Sequence, residues 1–173
     1  MKALRDFDRE TFILREIISS RRANISTVDT ALKTAPAMPK LNPDDYHSMA
    51  SFRHLVRKFL RFSKELVKTT AGLNSEQYEA LLAIKAFTSN NALTIAELSE
   101  RLQVKHHSTV NIVDRLVARK LVRRNTSSHD RRARHLKLTP AGNDLIERLA
   151  AVHRQEIRRR SAEIIAVLER LKR

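Results

Sequence analysis

Apolar residues recur at helical spacing along most of the chain and alternate with polar ones in only two short stretches. Residues 4 to 22 form one candidate helical stripe, and residues 44 to about 71 form a longer one. The longer stripe has two sides, with Met49, Phe52, Val56, Phe59 and Leu66 on one and Leu55 and Phe62 on the other. Two apolar faces on one helix predict that it packs against its own domain and against a further surface.

Prolines and caps divide the first half of the chain. The segment from Asn24 to Pro43 mixes Ser, Thr and Asn with three prolines, which is typical of a linker. Asp44 or Asp45 is expected to cap the long helix, and Gly72 fits its end. Ser75 is then expected to cap a helix that runs to Phe87 and turns Tyr78, Leu81, Leu82 and Ile84 inward.

Residues 93 to 142 carry the most specific order of elements. Thr94 and Glu97 have the spacing of a capping box at the start of a short helix. A second helix is predicted over 106 to 119, with a buried stripe of Val110, Val113, Leu116 and Val117. Strands at Val122–Asn125 and His135–Leu138 flank a loop, and Thr139 with Pro140 begins a helical region that continues to the C-terminus. The fold predicted is a winged helix-turn-helix, mainly α with a small β-hairpin wing.

Charge favours a polyanionic partner. The 173 residues contain 34 Lys and Arg against 19 Asp and Glu, a formal net charge of +15. Cations placed on phosphates release condensed counterions, which makes such binding favourable. Between residues 102 and 135 the only acids are Asp114 and Asp130, so the excess is concentrated in the helix-turn-helix and hairpin.

Other features narrow the class of protein. Cysteine is absent, which excludes disulfides and thiolate nucleophiles. No apolar run approaches the roughly 20 residues that span a bilayer, and the N-terminus does not resemble a signal peptide, so we expect a cytoplasmic protein without a membrane partner. No Gly-rich phosphate loop or nucleophile elbow is present, and we expect no enzyme activity and no cofactor.

The N-terminal half of the helix at 106 to 119 is the candidate base-reading surface, because that end of a recognition helix enters the major groove. The residues expected there are His106, His107, Ser108, Thr109 and Asn111. Histidine and asparagine can hydrogen-bond to base edges, and Thr109 can touch a thymine methyl group. The alternative for the histidines is a polar helix start without base contact. Adjacent histidines diverge by about 100° on a helix, so we expect no metal site there.

Arginines dominate the predicted wing. Arg131, Arg132 and Arg134 lie in the hairpin, where an arginine can enter a narrow minor groove and read its shape. The alternative is a solvated run of charge. Arg115 has two open roles, a phosphate contact or an ion pair within its own lobe.

Four motifs resemble the MarR (multiple antibiotic resistance) family of transcriptional regulators: LNSEQYEALLAI, LTIAELSERLQV, HHSTVNIVDRLVARKLV and DRRARHLKLTPAG. The last has the family's Asp-x-Arg…Leu-Thr-x-x-Gly spacing. The resemblance covers residues 44 to 171 and departs at Lys120, where the family usually has glycine. If the backbone keeps a positive φ there, a lysine costs on the order of 1 kcal/mol; the alternative is that the turn is rebuilt.

The resemblance implies a homodimer with this organisation: an N-terminal extension and linker at 1–43, a dimerisation helix at 44–72, a DNA-binding lobe at 73–139 and C-terminal dimerisation helices at 140–173. It also implies that Asp130 and Arg132 interact within the wing. A small lipophilic or anionic effector is implied between dimer helices and lobe, and the candidate contacts are Met49, Phe52, Val56 and Tyr78. Each of these four is also compatible with ordinary core packing.

The sequence thus favours a dimeric regulator that binds a pseudo-palindromic operator in double-stranded DNA, as a repressor. Two alternatives stay open. A nucleic-acid-binding protein without sequence preference, architectural or RNA-binding, would also explain the charge, and a protein-interaction module would use the fold only as a scaffold.

Overall fold

The structure, a computed structural model, describes residues 40–87, 93–126 and 134–172. Seven elements are assigned in these ranges: α1 (Pro43–Ala71), α2 (Ser75–Phe87), α3 (Ile95–Leu102), α4 (His106–Ala118), β1 (Val122–Thr126), β2 (Arg134–Leu138) and α5 (Pro140–Leu171). The candidate helix at 4 to 22 and the linker lie outside the described residues. The order and type of the other predicted elements are confirmed, and the winged helix-turn-helix is the fold of this part of the chain.

The core packs α2 against α3, α4, β2 and the start of α5. It contains the fully buried side chains of Leu81 and Ile84 in α2, Leu98 in α3, Leu116 in α4 and Leu136 in β2, together with Leu149 from α5. The two strands pair antiparallel, with Val122 opposite Leu138 and Thr126 opposite Arg134. Leu136 also donates its amide hydrogen to the Leu93 carbonyl at 2.8 Å, which attaches the start of α3 to the hairpin.

Of the four predicted helix caps, those at Thr94 and Thr139 are confirmed in detail and the other two differ. The long helix α1 begins at Pro43, so Asp44 and Asp45 lie within its first turn rather than at its cap. Thr94 accepts from the Glu97 amide while Glu97 accepts from the Thr94 amide, a complete capping box. Thr139 accepts from the Gly142 amide at 3.0 Å. The cap of α2 is Asn74 rather than Ser75, because the Asn74 side chain accepts from the Gln77 amide and the Gln77 side chain accepts from the Asn74 amide.

The C-terminal region is one continuous helix of 32 residues, where more than one helix was expected. No glycine or proline interrupts it after Gly142. No helix-breaking residue therefore divides α5 into shorter helices.

Lys120 ends the recognition helix in the left-handed region, with φ of 59°. The Leu121 amide donates to the Leu116 carbonyl at 3.0 Å, and the Lys120 amide donates to the Val117 carbonyl at 2.8 Å. These two bonds define a Schellman motif, whose left-handed position is usually glycine. The turn thus has the backbone geometry of this motif, although lysine is unfavourable at its left-handed position.

We therefore expect Lys120→Gly to raise the free energy of unfolding by about 0.5–1 kcal/mol, since relief of the left-handed strain is partly offset by the flexibility of glycine in the unfolded chain. Urea unfolding followed by circular dichroism measures it. Lys120→Ala is the matched control, because it removes the charge and keeps the strain. An equal gain in both variants would show that charge, and not φ, was responsible.

Candidate nucleic-acid interface

The first half of α4 presents polar side chains to solvent. His106, His107 and Asn111 are exposed, as the sequence predicted, whereas Ser108 is half-buried. Lys105 occupies the N-cap without a side-chain hydrogen bond, and the first turn contains no acid. The helix therefore begins with amide hydrogens and a positive dipole end that favour a phosphate oxygen.

Thr109 does not belong to this surface. The prediction that it is exposed is wrong, because its side chain is fully buried. The Ser99 hydroxyl donates to Thr109 Oγ1 at 2.9 Å, so the pair joins α3 to α4 inside the helix-turn-helix. The buried face consists of Thr109, Ile112, Val113 and Leu116, while the expected Val110 is only half-buried. Thr109 therefore positions the recognition helix and cannot contact a base.

Arg119 and Arg124, two basic residues of the helix-turn-helix and hairpin, have partners within the described residues. Arg119 donates from its guanidinium to the Ala71 carbonyl at 2.6 Å and to the Gly72 carbonyl at 2.8 Å. These are terminal carbonyls of α1, so Arg119 ties the end of the recognition helix to the end of the long helix. Arg124 forms an ion pair with Asp114 at 2.6 Å, which fixes β1 against α4.

Arg115 is exposed on α4, and the structure gives it no ion pair with any residue in the described ranges. The predicted ion pair between Arg115 and its own lobe therefore has no support in these ranges. Arg123 and Lys105 are also exposed. These cations flank the polar start of α4 in sequence and are available to a phosphate backbone.

The tip of the wing lies outside the described residues. This covers Arg131, Arg132 and the expected contact between Asp130 and Arg132. Arg134 begins β2 and its backbone pairs with Thr126, but its side chain also lies outside the description. The roles of these arginines remain predictions from sequence.

A buried histidine connects the long helices to the lobe, and sequence reasoning did not single it out. His153 of α5 donates from Nδ1 to the Leu149 carbonyl at 2.7 Å, since a carbonyl can only accept. Its Nε2 lies 2.9 Å from the Ser63 hydroxyl of α1, which then donates to it. The Tyr78 ring of α2 stacks on the imidazole at 4.3 Å between centroids. One side chain therefore holds α1, α2 and α5 together.

The four predicted effector contacts do not form one site. Phe52 and Val56 line a small cavity of about 120 Å³ between α1 and α5, together with Leu55, Phe59, Ile157, Arg160 and Ile164. Met49 lies on α1 outside that lining, and Tyr78 is buried against His153. Burial raises the pKa of the Tyr78 hydroxyl to about 12, with the nearby Glu79 charge acting in the same direction. Tyr78 is thus a neutral packing residue.

Arg160 lines that cavity with its aliphatic part, because its charge is already paired. Glu156, which is buried, contacts Arg160 at 2.5 Å and Arg159 at 2.8 Å. Hydrogen bonds from these arginines, Arg159 first, lower the pKa of Glu156 to about 2. The cavity therefore presents an apolar lining and no uncommitted cation.

None of the helices in the described residues is long and apolar enough to cross a membrane. Within the same ranges, no three His, Cys, Asp or Glu side chains converge as metal ligands would.

Comparison with known proteins agrees with this geometry. Residues 71–133 match the sequence model of the MarR family. No curated protein matches the chain by sequence. Among solved structures, the regulator BldR from Sulfolobus solfataricus is 22% identical over 76% of this chain and 94% of its own, with a TM-score of 0.59.

Two further structures have the same fold. The YusO protein of Bacillus subtilis is 25% identical over 75% of this chain and 98% of its own, with a TM-score of 0.56. MepR of Staphylococcus aureus, in complex with DNA, is 21% identical over 64% of this chain and 78% of its own, with a TM-score of 0.55. The resemblance predicted from the motifs is thereby confirmed: residues 71–133 are similar to the MarR family, and the described part of the chain has a winged helix-turn-helix fold.

Proposed function

We propose that this chain is a homodimeric transcriptional regulator that binds a pseudo-palindromic DNA operator and represses transcription by occupying it. One observation carries the proposal. The polar N-terminal half of α4 is exposed, with His106, His107 and Asn111 contributing nothing to the core. A helix held rigidly on its other face by Thr109, Ile112 and Val113 is suited to enter a major groove.

Exposed apolar side chains on the long helices support the dimer. On α1 these are Met49, Phe52, Val56 and Leu60, and on α5 they are Val152, Ile157, Ile165, Leu168 and Leu171. Large apolar surfaces on a soluble protein usually mark an interface. A second copy of the chain is the partner we propose for them, because two lobes are needed to read two half-sites.

The fold comparison adds support of a different kind. A solved complex of the structurally similar MepR contains DNA, and the chain shares that protein's winged fold. The net charge of +15 fits a phosphate backbone as partner.

A small-molecule effector between the long helices would require them to change their packing. The cavity beside Phe52 and Val56 holds about 120 Å³, whereas pockets for drug-sized ligands usually measure about 300–1,000 Å³. A lipophilic ligand of that size therefore requires α1 and α5 to separate. Such a ligand would release DNA by favouring a dimer whose recognition helices are wrongly spaced.

Two substitutions test the division of roles between wing and helix. Arg132→Ala is expected to weaken binding to every duplex. It should also reduce the slope of log K against log salt by about 0.9, which corresponds to one lost phosphate contact. Asn111→Ala is expected to lower the preference for operator over random duplex by about 10- to 100-fold, the usual value of a good base contact. Fluorescence anisotropy with both duplexes measures the two effects, and parallel losses in both variants would refute the division.

A further inference from the structure

The outer face of α1 carries a row of cations that the fold does not use. Five of them recur every three or four residues: Arg53, Arg57, Arg61, Lys64 and Lys68. At about 100° per residue they fall within roughly 80° of arc and extend over about 22 Å of helix. We call this row the α1 stripe. It lies roughly opposite the buried residues Ser48 and Leu55.

All five side chains belong to exposed residues, and none has an ion pair with any residue in the described ranges. Some other cations of the same ranges do have partners. Lys85, Arg124, Arg160 and Lys172 form ion pairs, and Arg119 caps α1. The only acid of α1 beyond its first turn is Glu65, which falls outside the arc. The α1 stripe is therefore a continuous positive surface.

This arrangement is unfavourable for the helix by itself. Like charges three or four residues apart repel one another on a helix surface. The stripe contains four such neighbouring pairs, from Arg53 and Arg57 to Lys64 and Lys68. A polyanion lying along the helix would remove that repulsion and release its own counterions at the same time.

The position of the α1 stripe favours nucleic acid over a membrane surface. Its C-terminal end, Lys64 and Lys68, lines a shallow depression that continues over Gly72 to Gln77 at the start of α2. Arg119, at the end of the recognition helix, is bonded to the α1 carbonyls at the same end. The stripe thus begins beside the helix-turn-helix lobe and runs away from it.

We infer that the α1 stripe is a second contact for duplex DNA, which binds phosphates irrespective of base sequence and adds to the contacts of α4 and the wing. This inference rests on the proposed function. It assigns part of the sequence-independent affinity to a helix that the motifs connect only with dimerisation.

The test compares two variants with the same loss of charge. The stripe variant is Arg53→Gln, Arg57→Gln, Arg61→Gln and Lys64→Gln in one chain. The control replaces four exposed arginines of α5, which are Arg148, Arg154, Arg158 and Arg170, by glutamine. Each lowers the net charge by four. The probe is a 40-base-pair duplex of random sequence, titrated by fluorescence anisotropy between 50 and 250 mM KCl.

The stripe variant is expected to bind at least about tenfold more weakly at 100 mM salt and to reduce the slope of log K against log salt by about two or more, since each lost phosphate contact removes roughly 0.9. The control is expected to stay within about twofold of the wild type. Without DNA at low salt, the stripe variant is expected to melt at a higher temperature than the wild type, because the repulsion along α1 is gone.

Equal changes in both variants would overturn the inference, because generic charge would then explain them. Duplex binding by the stripe variant that equals that of the wild type would also overturn the inference. The same holds if the stripe variant keeps its duplex binding but loses binding to single-stranded RNA or to phosphatidylserine vesicles. The proposed function fails separately, if the wild-type chain retards no duplex at 50 mM salt. Should the fourfold variant unfold, the double variants Arg53→Gln with Arg57→Gln and Arg61→Gln with Lys64→Gln give the same comparison in two halves.

Discussion

Replacing Gly142 by alanine is expected to lower the free energy of unfolding by about 3 kcal/mol or more, which is the upper range for overpacking of a buried position. An added Cβ would lie 2.0 Å from the Leu121 carbonyl oxygen and 2.9 Å from its carbon. Both are backbone atoms at the junction between α4 and β1, where the Thr139 amide donates to the same carbonyl. The start of α5 would have to move away from the lobe.

The sign of this effect is diagnostic. In an open helix, alanine is about 1 kcal/mol more favourable than glycine, so a site without the close approach would be stabilised. Gly72→Ala serves as the control, because its Cβ would meet only Arg119 Nη2 at 4.0 Å and the cost would come from its φ of 59° alone. We expect about 1 kcal/mol there. Urea unfolding measures both, and similar small losses in the two variants would contradict the account of Gly142.

Truncation after Ala151 is expected to abolish the dimer. It removes the second half of α5, including His153, Glu156 and Val167, all of which are buried. Leu55 and Ser63 of α1 would lose their cover on that side, and the exposed apolar residues of α5 would be lost. Monomers or aggregates should result, and operator affinity should fall by about 10²- to 10⁴-fold as two linked half-sites become one.

Light scattering after size-exclusion chromatography gives the oligomeric state, and anisotropy gives the affinity. A chain that ends at Leu171 is the control, since it lacks only Lys172 and Arg173 and is expected to stay dimeric. A stable dimer that binds DNA without residues 152–173 would place the interface elsewhere.

Local rules were enough to predict most of the fold. Capping patterns at Thr94 and Thr139, two alternating strands and the apolar periodicity of four helices each depend on neighbours a few residues apart. The sequence left two alternatives for the turn at Lys120, a retained positive φ or a rebuilt turn, and the structure has the positive φ. Asn74 replaced Ser75 as a cap because adjacent residues of similar capping strength cannot be separated by sequence pattern.

Errors arose where a side chain finds its partner far away in sequence. Thr109 was predicted to be exposed because its partner, the Ser99 hydroxyl, lies on another helix. The role of Arg119 could not be predicted either, because its two carbonyl partners lie at the end of α1, almost 50 residues earlier. His153 gave no signal at all, since its role depends on Ser63 and Tyr78 from two other helices.

The same distinction, between residues set by local pattern and residues set by distant contacts, applies to the candidate site. The polar start of α4 could be predicted, because a recognition helix exposes its N-terminal half by construction. The effector contacts could not, because their grouping depends on how α1 packs against α5. Of the four residues expected, Phe52 and Val56 share a cavity, and Tyr78 lies in the packing around His153 instead.

Sequence-specific binding by a dimer is the central claim, and selection of genomic fragments tests it most directly. Purified protein is mixed with fragmented genomic DNA at about 150 mM salt, where nonspecific binding is weak, and the bound DNA is sequenced. The account predicts enrichment of an inverted repeat whose half-sites lie about one helical turn, roughly 10 base pairs, apart. Binding without any enriched sequence would contradict it and favour an architectural nucleic-acid-binding protein.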